Sequence, residues 1–129
     1  MDEKERYEAG LGVRKQVLGE AHVERSLINR NSFNEDFQDL ITRYAWGEIW
    51  TRPGFDHRMR RLLVLGITAA MGRWEEFRLH IRAGLEGGLS TDDIKDALMQ
   101  TAIYAGVPAA NTGFHIAQEV IKELGRSGT

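Results

Sequence analysis

Arg73-Trp74-Glu75-Glu76-Phe77-Arg78-Leu79-His80 decides the fold, because its apolar residues recur at helical spacing. At about 100° per residue, Phe77, Ile81, Gly84 and Leu85 fall on one stripe with Trp74 beside it. His80 lies on that stripe, not on the solvent face. Glu76 precedes His80 by four residues, so a carboxylate and an imidazole can face each other at the stripe's edge. General acid–base chemistry needs such a titratable pair at the margin of an apolar face. The same pair also fits a buried structural histidine satisfied by a local carboxylate.

Working outward, Gly87-Gly88 stops this helix, and Ser90 caps the next one, with Asp92 and Asp93 in its first turn. Ile94, Ala97, Leu98, Thr101, Ala102 and Ala105 give that helix a stripe of mostly small residues. Gly106-Val107-Pro108 breaks it, a last helix runs from residue 109 to about 124, and residues 126–129 read as a frayed tail. On the other side, Asp56 opens a helix to about residue 71 that is apolar nearly all round. Such a helix must be buried on several sides, at the centre of a bundle or in a subunit interface. Arg58, Arg60 and Arg61 lie in its first turns, where arginines make ion pairs or clamp a carboxylate.

Arg52-Pro53-Gly54 is the clearest turn. Before it, Ser32 and Glu35 have capping-box spacing and predict a helix to about residue 47, with Phe37, Leu40, Ile41 and Tyr44 on its apolar face. Trp46 and Trp50 close that segment, either as core anchors or as the walls of a pocket. Residues 3–19 predict a helix in which Gly10 and Gly12 either permit close backbone contact or mark a break. Residues 19–31, with His22 and Val23, read as irregular. No stretch alternates with period two. The expectation is an all-α protein, one domain over residues 1–129, built as a small bundle of about six helices.

Composition narrows the chemistry. The 129 residues are 42% hydrophobic and 28% charged, ordinary values for a soluble domain. A net charge of −2 gives no field to recruit nucleic acid. Without cysteine there are no disulfides, thiol nucleophiles or thiolate metal sites. The charged N-terminus lacks a signal core, and the longest apolar run is about half the length that spans a bilayer, so a cytoplasmic protein without a membrane partner is expected. Glu-x-x-x-His occurs once, not the paired Glu-x-x-His of di-iron bundles, and His22, His57 and His115 have no companion motif, so no metal is expected.

Trp46-Gly47-Glu48-Ile49-Trp50-Thr51-Arg52-Pro53-Gly54, Arg60-x-Leu62-Leu63, Glu76-x-x-x-His80-x-x-x-Gly84 and Tyr104-Ala105-Gly106-Val107-Pro108-Ala109-Ala110 occur in this order. Together they resemble the carboxymuconolactone decarboxylase family, and Val13-Arg14-x-x-Val17-Leu18-Gly19-x-x-His22-Val23 resembles the N-terminal segment of its decarboxylase branch. The related alkyl hydroperoxidase D-like enzymes carry Cys-x-x-Cys where this chain has Arg73 and Glu76, so their thiol chemistry is closed to it. The resemblance implies an alkyl hydroperoxidase D-like all-α fold and a homo-oligomer, usually a hexamer. It also implies cofactor-free decarboxylation of 4-carboxymuconolactone, a small lactone dicarboxylate, in bacterial protocatechuate breakdown by the β-ketoadipate route.

The expected catalytic residues are His80, Glu76 and Arg60. Arg14, His22, Trp46, Trp50 and Arg58 are the expected substrate-binding residues. A same-fold protein acting on another lactone, or a non-catalytic oligomer that binds a small acid, is the alternative.

Overall fold

The computed structural model describes residues 2–126, which form seven α-helices and one π-helical segment. No strand occurs among them. None of the described helices is long and apolar enough to cross a membrane. The chain divides into two compact units, Met1–His57 and Arg58–Thr129.

In the first unit, α1 (Glu3–Leu18) starts where the Asp2 carboxylate accepts the Glu5 N–H at 2.7 Å, and ends at Gly19, whose φ of 92° turns the chain. The turn leads directly into α2 (Glu20–Ile28), within the stretch expected to be irregular. The correction has a plain cause: α2 is nine residues long and fully buries only Val23, too little to leave a periodic pattern. The expected cap at Ser32 is also replaced. Asn31 Oδ1 accepts the N–H groups of Phe33 and Asn34 at 2.9 and 3.0 Å, and α3 (Glu35–Ile41) follows Asn34.

From Thr42 to Ile49 the helix widens into a π-helix. It runs against α1 backbone to backbone. A Cβ on Gly10 would lie 1.9 Å from the Thr42 carbonyl oxygen, and one on Gly47 would lie 2.4 Å from that of Arg6. Of the two alternatives for Gly10, close contact is therefore the correct one. The pairings 6 with 47 and 10 with 42 set an antiparallel register.

In the second unit, α4 (His57–Met71), α5 (Trp74–Glu86), α6 (Thr91–Ala105) and α7 (Val107–Glu123) surround one core. Leu65, Ala69, Phe77, Ile81, Leu85, Leu89, Ile94, Leu98, Ile116, Ala117 and Val120 fill it. Ser90 and Asp93 complete the capping box that opens α6. Gly106 alone separates α6 from α7, and Pro108 sits in the first turn of α7, where its missing N–H costs nothing. Arg126 donates to the Leu85 carbonyl at 2.9 Å, so the chain is still held there; residues 127–129 of the expected tail lie outside the described residues. Helix α4 buries Arg61, Leu65 and Ala69, while Met59, Leu63, Ile67 and Met71 are exposed.

The glycine contact is directly testable by urea denaturation. Gly10→Ala should destabilise the fold by about 2 kcal/mol or more, because backbone atoms on both sides must separate. A Cβ on Gly12 would meet nothing within 4 Å, so Gly12→Ala should be stabilising by about 0.5–1 kcal/mol. Equal effects of the two changes would contradict this packing.

Candidate active site

The stripe predicted for α5 forms as read: Phe77, Ile81 and Leu85 are buried, and His80 is 8% exposed beside them. Glu76, one turn earlier, lies on the exposed side of the helix. The Trp74 ring stands edge-on to Phe77 at 5.4 Å and holds the start of α5 against the core. Burial keeps water from the imidazole, a condition under which a proton donor and oriented charges act most strongly.

The three arginines of α4 separate. Arg58 is exposed and donates to Asp93 Oδ1 at 2.5 Å; the Ser90 N–H and this guanidinium hold the Asp93 carboxyl below its usual range. Arg60 is half-buried. Arg61, which the sequence left outside the expected site residues, is buried against the end of α5: a Cβ on Gly87 would lie within 2.4 Å of its Nη2. Burial lowers its pKa, while the carbonyl end of α5 suits a cation.

A cavity of about 760 Å³ runs between α4 and α6. Leu62, Leu63, Ile67 and Tyr104 line it, with Arg58, Asp93 and Asp96 as its charged groups. Of the expected site residues in this unit, only Arg58 reaches it.

In the first unit the structure brings Arg14 and His22 together. Arg14 is 7% exposed on α1, and its Nη1 donates to Gln38 Oε1 at 3.3 Å. Burial lowers its pKa, opposed by the charge of Tyr7. His22, half-buried on α2, is held below its ordinary value by burial and then by the charges of Arg14 and Arg25. Trp46 and Trp50 stack with ring centroids 5.0 Å apart, and His57 stands edge-on to Trp50 at 5.9 Å. Gln38 and His57 carried no spacing signal: each depends on a neighbour distant in the helical pattern.

Among the described residues, no group of three or more His, Asp and Glu is placed to hold a metal ion. The model of the carboxymuconolactone decarboxylase family matches residues 35–119. The chain belongs to that family.

It is 47% identical over 125 residues to the 4-carboxymuconolactone decarboxylase of Acinetobacter baylyi, covering 97% of this chain and 93% of that protein. A nitrosuccinic acid decarboxylase from Metarhizium robertsii is 36% identical over 92% of this chain and 82% of its own length. The 4-carboxymuconolactone decarboxylase of Pseudomonas putida matches 48 residues at 58% identity, 37% of this chain and all of that sequence. The all-helical structure agrees with that membership, and these three relatives are named as decarboxylases.

The depressed pKa of His22 has a consequence for stability. As pH falls below about 6.5, the unfolded chain takes up this proton before the folded chain does. Stability should therefore fall as the pH drops below ~6.5, and His22→Gln should flatten that part of the profile. Urea midpoints across this range check it; identical profiles for the two proteins would contradict the assignment.

Proposed function

We propose that this protein is a carboxy-lyase that converts 4-carboxymuconolactone to 3-oxoadipate enol-lactone and CO2. The observation that carries the reading is 47% identity to an enzyme of that name along 97% of the chain. The substrate makes an added cofactor unnecessary. Its departing carboxylate is on the ring carbon γ to an unsaturated lactone carbonyl. As the C–C bond to CO2 breaks, its electron pair runs through the double bond to the carbonyl oxygen and forms a dienolate. A proton added at the α carbon then gives the enol-lactone, so each turnover consumes one proton.

Three tasks remain for side chains: holding two carboxylates, stabilising the oxyanion and delivering the proton. His80 is assigned the proton delivery, because its ring is buried and its helix is fixed in the core; Glu76 orients it or shares the proton. Arg60 binds a carboxylate, as a planar guanidinium does best. Arg14 supplies a second cation, with Arg58 at the α4–α6 cavity as a further one. His22, held toward its neutral form, donates to the oxyanion. Trp46 and Trp50 present a stacked apolar wall.

The exposed row Met59, Leu63, Ile67 and Met71 on α4 supports a homo-oligomer, with a hexamer as the specific proposal and the bacterial cytoplasm as its place. A second reading keeps the reaction type and changes the acid. It is favoured by the similarity to the nitrosuccinic acid decarboxylase.

Turnover of freshly generated 4-carboxymuconolactone, followed by CO2 and enol-lactone together, tests the primary reading. His80→Ala should lower kcat by about 10²-fold or more while the protein stays folded. Near-normal turnover in that variant would remove His80 from the mechanism. No turnover by the folded wild type would shift the assignment to another acid. Separately, Ile67→Glu should reduce the mass measured by light scattering to that of a smaller species; an unchanged mass would clear α4 of any part in assembly.

A further inference from the structure

Among the described residues, the most buried cation of the first unit meets no carboxylate. Arg6, Arg30 and Arg43 are met by Glu48, Asp39 and Glu3. Arg14, far less exposed than any of them, donates instead to the neutral amide of Gln38, and its buried Nε has no hydrogen-bond partner. His22 adds only positive surroundings, since the charges acting on it are those of Arg14 and Arg25. A buried guanidinium without a counter-charge is costly, and natural folds keep few of them.

The register of the helices explains how the amide arrives there. Gly10 and Arg14 are one turn apart on α1, as are Gln38 and Thr42 on the opposing segment. The close approach of Gly10 to Thr42 places the next pair, Arg14 and Gln38, opposite each other. The Thr42 hydroxyl donates to the Gln38 carbonyl at 2.7 Å and secures the turn that carries the amide.

We infer that Gln38 is a positioning residue, which aims the Arg14 guanidinium without neutralising it and so reserves that charge for the carboxylate of a small organic acid. The amide is the essential chemistry. A glutamate of the same length reaches the same atoms, but it fills the site permanently with the group the ligand must bring. That the bound acid is the lactone rests on the decarboxylase reading; the carboxylate site itself does not.

Gln38→Glu separates this role from a structural one, with succinate as the probe. Wild-type protein should be thermally stabilised by succinate beyond chloride at matched ionic strength, and Gln38→Glu should lose that response. The variant itself should melt no lower than wild type, because Arg14 gains a counter-charge. Its KM for the lactone should rise at least about tenfold with kcat changed less than about threefold. Gln38→Asn, which keeps a neutral amide, should restore part of the succinate response.

A succinate response and KM in Gln38→Glu equal to wild type would overturn the inference, as would a wild type that succinate does not stabilise. If the wild type turns over no lactone but loses its succinate response on Gln38→Glu, the carboxylate site stands and the decarboxylase reading falls.

Discussion

The second unit depends on the burial of one face of α5. Phe77, Ile81 and Leu85 are excluded from water, and each such side chain contributes about 1.5–3 kcal/mol. Those contacts fix the rotation of the helix. His80 lies three residues after Phe77 and one before Ile81, so it cannot be returned to solvent without exposing that stripe. The edge-on contact of Trp74 with Phe77 holds one end of α5, and the buried Arg61 guanidinium occupies the other. An imidazole held in this way is desolvated by the core itself.

The first unit uses a different constraint. Its governing contact is backbone against backbone, made possible by Gly10 and Gly47. Side-chain packing tolerates small shifts, whereas two main chains at this separation do not, so the register between α1 and the π-helical segment is specified sharply. The same face of α1 that carries Gly10 also carries Arg14 one turn later, which is why a long cationic side chain is buried. The π-helical widening lies in this contact and contains Trp46, the inner ring of the tryptophan stack. Such insertions are frequent at functional sites.

The two constraints suit the proposed decarboxylation, in which the substrate is its own electron sink. The protein has to supply charge, exclusion of water and one proton, and those requirements fall on few side chains. Under the same proposal, relatives that act on different small acids would change their acid-binding groups and keep the buried histidine as proton donor. The similarities to enzymes named for 4-carboxymuconolactone and for nitrosuccinic acid are consistent with that division.

Much of the fold was legible because helical periodicity and caps are local. The α5 stripe, the Ser90 cap and the extents of α1, α4 and α6 follow from residues within a few turns of one another. Helix α2 was not legible, since nine residues with one fully buried side chain leave no period to detect. The start of α3 after Asn34, behind a turn held by the Asn31 side chain, was missed because Ser and Asn both suit such a place, and only the path of the turn selects between them. The inward placement of His80 was readable from its spacing alone.

What the sequence by itself determined was therefore the all-α class, the family and the side of α5 on which the imidazole lies. Only the tertiary structure decided which arginines are buried, that Arg14 faces an amide and that Arg58 faces Asp93. The physical reason is range: a helical face is set by neighbours three and four residues away, whereas the partner of a charge is set by packing between helices far apart in the chain.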